Sequence, residues 1–430
     1  MNTRNTFVVM VALVCFGMLP VSAAGAAKIG SNSCGGTDVP NIYCSFGGTG
    51  DVTIGNDSCN VEGACLNLGD GVKIGKNSCN GEDACAGIGS VGGEAMIGND
   101  ACNSYEACYY AGDCGGSVKI GNDSCNSYEA CYDAGCGGMA EIGKGACNGS
   151  QACYYVANNG GSITVGNDSC LEYGACYYAA YSGGTAVIDK GACLGYEACY
   201  EAAYDGQAMI GRGACKGYYA CIYAGYGPSG YAEIDRGACI GYEACYDAGY
   251  SGSAVIGKGS CYGYEACYEA GDDGTAVIED KSCRGSYACY EVAYSGSSSS
   301  IQVGKGSCLG YYACEYAGYA GQAVIGKGSC AGGDYSCYYA GCYGSVAIAD
   351  KSCNDYYACY DAGYTTGITT TIDKQSCNGS EACYEGGDNF NAVIGAGSCN
   401  NYESCYRVGH TSVENVGDKQ CNEPQECSNE

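Results

Sequence analysis

The chain has no tryptophan and only four phenylalanines, four prolines and one histidine in 430 residues. Leucine is scarce as well. An ordinary globular core of large aliphatic and aromatic side chains is therefore excluded. Positive charge is also short: 19 Lys and Arg stand against 47 Asp and Glu, a net charge of −28. Such a surface repels nucleic acid and anionic membranes and favours cations or basic partners. Long apolar runs are confined to residues 7–19, and no later stretch approaches the roughly 18 apolar residues of a membrane span. That run of 13 residues follows Arg4 and precedes the small-residue stretch Val21-Ser-Ala-Ala24. Residues 1–24 are thus expected to be a secretory signal peptide, and the protein to be secreted and extracellular.

Cysteine, glycine and tyrosine fill the space left, with 40, 75 and 44 residues. Cys15 leaves with the signal peptide, and the other 39 predict a disulfide framework built in an oxidising compartment. They are not scattered. From Cys34 to Cys421 a module recurs 18 times at 22 or 23 residues, with outliers of 20 to 25, and its core reads I-G-K-G-S-C-x-G-Y-E-A-C-Y-x-A-G. A fixed period of this size marks a stacked repeat architecture.

Each module is numbered here from its first cysteine as zero. Position −5 is Ile or Val throughout, as at Ile54, Ile74, Ile97 and Ile120, and −7 is small or β-branched. Position −6 is free (Thr53, Lys73, Met96, Lys119). Fixed, free, fixed is period two, which predicts a strand with one buried face. Glycine at −4 and glycines closing the module predict turns. The expected fold is all-β: a single disulfide-stapled parallel β-helix of about 18 coils, with 22–23 residues per coil. It spans residues 27–430, with 27–50 and 408–430 as caps over open sheet edges. At about 4.8 Å per coil the stack is a rod of roughly 85 Å.

The cysteines pair most simply within a module, at C-x5-C spacing: Cys59/Cys65, Cys79/Cys85, Cys102/Cys108, Cys125/Cys131, Cys193/Cys199, Cys261/Cys267 and onward to Cys421/Cys427. Cys34/Cys44 and Cys330/Cys337 are stretched versions. Cys114 and Cys136, at +12 and +11 of consecutive modules, would stand about 5 Å apart in a stack, where a bridge is expected. Cys342 is left over, and either an intermolecular bond, a free thiol or re-pairing with Cys330 or Cys337 is open to it. Structural zinc favours shorter C-x2–4-C gaps with a second pair or histidines. The uniform five-residue gap and the lone His410 argue against a thiolate metal site.

The C-x5-C staple resembles that of the beetle antifreeze solenoids, although the threonine ladder of those proteins has no counterpart in the module. The whole module is similar to secreted cysteine-rich repeat proteins of the I-G-x-x-S-C-x-G-x-x-A-C type of diatoms and related algae. That resemblance implies a secreted solenoid and no particular activity.

A module position becomes a row along such a stack. Tyrosine fills +7 in 12 of 18 modules, at Tyr109, Tyr132, Tyr154, Tyr177, Tyr200, Tyr246, Tyr268 and Tyr290 and at four later places. A second row runs at +3. These rows read either as structural aromatic ladders or as a sticky, cross-linkable face that adsorbs to surfaces or stacks on sugars. Acids form rows too, at +4 (Glu197, Glu243 and Glu265 among them) and at +8 (Asp247, Glu269, Glu291). Like charges one coil apart repel by roughly 1 kcal/mol even in water. Lysines at −3 are too few to relieve this, so the +4 row is a candidate cation row, with Ca2+ the only cofactor considered. Sequons at Asn56, Asn122, Asn148, Asn167 and Asn378 would place glycans on turns.

The function expected is that of a secreted structural or adhesive protein of a cell wall or extracellular matrix. Its partners would be extracellular polysaccharide, mineral, cations or like molecules. A ligand-array binder such as an ice-binding protein is the alternative. A β-helix enzyme acting on polysaccharide is a third reading, but no nucleophile–base pair or unique acid pair breaks the repeat. No catalytic residue is assigned, and the protein is not expected to be an enzyme.

Overall fold

The computed structural model describes residues 26–35, 43–228, 230–294 and 299–427; the expected signal peptide, residues 1–24, and parts of both expected caps lie outside these. The fold is an all-β, disulfide-stapled parallel β-solenoid with about 23 residues per coil. Two compact units, Met1–Tyr204 and Asp205–Glu430, make up the chain.

In the first unit eight short strands, from Ala27–Ile29 to Thr185–Ile188, each pair in parallel with the strand of the adjacent coil. Register is strict: Ile54 pairs with Ile74, Ile74 with Ile97, Ile97 with Ile120. A minor two-strand sheet, Cys44–Phe46 with Cys65–Leu68, sits beside them. The second unit has ten such strands, from Gln207–Ile210 to Glu414–Val416, again with like positions opposite each other. There a second, shorter ladder of single bridges links Lys216, Ile240, Tyr262, Arg284 and Leu309, all at +1.

The period-two pattern explains the strands. Val52 and Ile54 point inward and Thr53 outward, and the same alternation recurs along each unit. Most of the largest buried side chains are the −5 isoleucines, joined by Ile163 and Ile301 at −7 and by Leu68 and Ile88 at +9, and alanines and cysteines at 0 % exposure fill much of the rest. The interior is thus thin, and stacking on neighbours completes each coil.

Two polar ladders bind coil to coil. The serine at −1 is fully buried: the Ser58 hydroxyl donates to Gly75 O at 2.8 Å and accepts from Ser78 N–H at 3.1 Å, and Ser78 repeats the pattern towards Gly98. The asparagine at +1 does the same on the surface. Asn60, Asn80, Asn103 and Asn126 each donate their backbone N–H to the side-chain oxygen of the next asparagine at 2.9–3.1 Å. Where +1 is not asparagine, from Lys216 to Leu309, the backbone bridges take over.

Beyond the cysteines most of each coil is neither helix nor strand. Peptides alternately close tight turns and bond to a neighbouring coil: Ala107 N–H donates to Ser104 O at 3.3 Å, and Cys108 N–H to Ala84 O of the preceding coil at 2.7 Å. Such alternation requires left-handed residues, and Glu106 and Tyr110 supply them with φ of +46° and +54°. The first cysteine of all 18 modules is left-handed, with φ between +51° and +56°. The direction of bonding at +6 changes along the first unit. Cys131 and Cys153 donate to the preceding coil, whereas Cys176 donates to Ala198 of the following one at 3.0 Å and is itself left-handed.

Candidate functional site

Among the described residues eighteen disulfides close within a module and one closes between modules. The pairs Cys59–Cys65, Cys79–Cys85, Cys102–Cys108, Cys125–Cys131, Cys193–Cys199 and Cys261–Cys267 hold their Cα atoms 5.5–5.7 Å apart. Cys114 and Cys136 are bonded across one coil, with Cα atoms at 5.1 Å. Cys330 and Cys337 bond each other, which leaves Cys342 free and buried. Sulfurs such as those of Cys267, Cys283 and Cys289 gather in threes, but all three belong to disulfides and offer no thiolate.

The turn segments project tyrosines in columns. In the first unit Tyr109, Tyr132, Tyr154, Tyr177 and Tyr200 stack in one run, centroids 4.7–5.2 Å apart and planes within 21°. In the second unit Tyr246, Tyr268 and Tyr290 stack at 4.8 and 5.0 Å, and Tyr338, Tyr360, Tyr384 and Tyr406 at 4.9–5.2 Å. Neighbouring columns meet edge to face, as Tyr154 against Tyr155 at 4.3 Å. Ring faces are therefore occupied by other rings, and several hydroxyls bond to neighbouring tyrosines, as Tyr154 with Tyr155 and Tyr338 with Tyr339. A column built this way closes its ring faces to a stacking sugar. The exposed +3 row follows the same rule, with Tyr105 on Tyr128 and Tyr242 on Tyr264.

Acidic side chains border these columns. Glu243 and Glu265 lie one coil apart in the second unit, and the hydroxyls of Tyr242 and Tyr264 hydrogen-bond to them. Glu197 belongs to the first unit. The +8 acids behave differently. Burial, reinforced by neighbouring carboxylates, pushes Asp247 up to about 7 and Glu269 up to about 8. Asp272 at +11 is pushed up to about 6 by burial and by Asp273. Asp133 and Asp361, in other coils, rise to about 6 and about 7 for the same reasons. Glu315 stands at +7, where tyrosine is usual, between the two tyrosine runs of the second unit. It is 5 % exposed, and burial followed by Glu291 lifts its carboxyl to about 8.

Lysine relief of the acid rows is local. Lys144 pairs with Asp123 at 3.4 Å, Lys190 with Asp168 at 3.3 Å and Lys305 with Asp280 at 3.6 Å, all on the exposed turn before the first cysteine. The sequons fall in the same turns or in the asparagine ladder. Ser58, Ser124 and Ser169 of three sequons are buried, and Asn148 spends its side-chain nitrogen on Asp123 O at 2.8 Å.

The outward face of the main sheet in the second unit carries its own pattern. On the six strands from Ser253–Ile256 to Thr369–Ile372, the outward pairs are Ser253/Val255, Thr275/Val277, Ser300/Gln302, Gln322/Val324, Ser345/Ala347 and Thr369/Thr371. No charge stands among them. In the first unit the equivalent face carries Lys73, Lys119 and Glu141.

These features define the class: a disulfide-stapled parallel β-solenoid with tyrosine columns and buried acids. Residues 201–303, about a quarter of the chain, match a family described as Domain of unknown function (DUF7640). Neither a curated protein nor a solved structure matches the chain. No helix among the described residues is long and apolar enough to cross a membrane.

Proposed function

We propose that this is a non-enzymatic, secreted structural or adhesive protein of a cell wall or extracellular matrix. The observation that supports it most is the tyrosine column: runs of five and four stacked rings at regular spacing on a covalently stapled frame. Regular hydroxyl and carboxylate rows suit partners that are themselves repetitive, such as matrix polysaccharide, mineral or further copies of the chain. One disulfide per coil suits an oxidising exterior.

A second reading rests on the uncharged sheet face between Ser253 and Thr371. Uncharged rows of Ser, Thr, Val, Ala and Gln side chains at about 4.8 Å suit a lattice binder such as an ice-binding protein. One set of assays separates the two. Purified oxidised protein is tested for pull-down on insoluble polysaccharide and mineral, for self-association by sedimentation, and for thermal hysteresis. Binding or assembly without hysteresis is the expected result. Hysteresis without binding would replace the adhesive reading by the second one, and neither would defeat both.

A further inference from the structure

Five tyrosines of the +3 row share one arrangement. Tyr105, Tyr128, Tyr242, Tyr264 and Tyr402 are each 39–47 % exposed. The hydroxyl of each donates to the carboxylate of the glutamate that follows it at +4. Four of them also stack in twos, Tyr105 on Tyr128 at 5.6 Å and Tyr242 on Tyr264 at 5.1 Å, with planes within 10°.

The same row supplies a contrast. Tyr311 and Tyr356 are as exposed, at 41 % and 44 %, but a tyrosine follows each of them at +4, and their hydroxyls bond to Tyr312 and Tyr357.

The two kinds of pair differ in what they do when an electron is lost. Removal of an electron turns a phenol into a strong acid, and a base already bonded to its proton takes that proton in the same step. A positioned proton acceptor contributes about 10²–10⁴-fold in rate. A carboxylate is such an acceptor, whereas an uncharged phenol oxygen is a much weaker one.

We propose that Tyr105, Tyr128, Tyr242, Tyr264 and Tyr402 are the sites at which the chain is oxidatively cross-linked, ring carbon to ring carbon, to a second copy of itself. Each phenol gives its electron to the oxidant and its proton to the adjoining glutamate. Two phenoxyl radicals then form a bond between carbons ortho to their oxygens, and the ortho hydrogens move to the oxygens, which restores both rings. The oxidant is hydrogen peroxide acting through a haem peroxidase: the two electrons and two protons removed reduce one peroxide to two waters. A biaryl bond joins ring edges, and the stacked neighbours within the chain meet face to face, so the partner ring comes from another copy. This deepens the adhesive reading, on which its setting rests; the test uses no polysaccharide, mineral or ice, so either can fail without the other.

The disulfide-intact full chain is treated with hydrogen peroxide and a haem peroxidase. Dimers that survive denaturing electrophoresis with reductant are followed over time, then digested and mapped by mass spectrometry. Wild type should form such dimers, with links concentrated at the five tyrosines rather than at Tyr311 and Tyr356. E106Q/E129Q/E243Q/E265Q/E403Q keeps every phenol and should cross-link roughly tenfold more slowly. Loss of five negative charges weakens repulsion between copies, so charge alone would change the rate the other way. Y311F/Y356F should cross-link as wild type does. Absence of covalent dimers, links spread evenly over all seven tyrosines, or a wild-type rate in the folded glutamine variant would overturn the proposal. Should that variant not fold, the map of the wild-type links decides.

Discussion

At Cys342 burial comes first, and the carboxylates of Asp361 and Glu291 add to it, pushing the thiol up to about 12. The thiolate is the reactive form, so this cysteine is chemically silent while folded. Iodoacetamide at pH 8 should leave it unlabelled in the native chain and label it stoichiometrically in denaturant without reductant. Native labelling at the rate of a free thiol, read by intact mass, would contradict its burial. Residue identity at Glu315 has the opposite character, since it interrupts the tyrosine column with a group the fold leaves half-satisfied. The sequons teach a residue-scale lesson as well. Their motif implies an exposed turn, but the serine at −1 carries an inter-coil hydrogen bond inside the stack. A glycan at Asn56, Asn122 or Asn167 would have to be added before the coil closes.

At the scale of one coil, covalent and steric constraints divide the task. A six-residue disulfide loop stabilises by about 2 kcal/mol through loss of unfolded-chain freedom. C261A/C267A should therefore lower the denaturation free energy of the second unit by roughly that much, plus a smaller packing loss, in guanidinium titration. No change would mean that the bridge only locks what packing already fixes. Gly241 is less forgiving. Its φ is +148°, and a Cβ there would lie 1.9 Å from Gly263 O of the next coil, so Gly241→Ala should prevent that stretch from stacking. Much of this coil could be read from sequence, because strand, corner and staple each leave a strict mark: Ile at −5, free residues at −6, cysteines at 0 and +6. The left-handed cysteines leave none, since cysteine has no preference for that conformation and only the bridge and stack impose it. The asparagines at +1 repeat in the sequence, but nothing in their spacing announces a ladder until a neighbouring coil is in place. The +8 acids repeat as regularly as the +4 acids, and pattern alone does not tell the half-buried row from the one that tyrosine hydroxyls satisfy.

Across the whole molecule the acids set the pH response. Unfolded Asp and Glu titrate near about 3.9 and 4.3. In the second unit Asp247, Asp272, Asp361, Glu269 and Glu315 titrate at about 6 to about 8. The folded chain thus holds these protons more tightly than the unfolded one. Their contribution is fully present below about pH 4 and is lost as pH rises through about 6 to 8. With divalent cations chelated, the melting temperature should fall between pH 4.5 and pH 8.5, and a flat or rising profile would refute this assignment.

The staples have a mechanical corollary. Among the described residues all but one join residues of a single coil, so apart from the backbone almost nothing covalent ties one coil to the next. Of the 22 residue steps from Cys239 to Cys261, the bridge shields six, which leaves 16 free to pay out under load. A tug on the chain would release about 55 Å of slack per coil and then meet an unbroken sulfur knot. Extension would proceed in small, repeatable yields, halting only where Cys114 and Cys136 rivet two neighbours together.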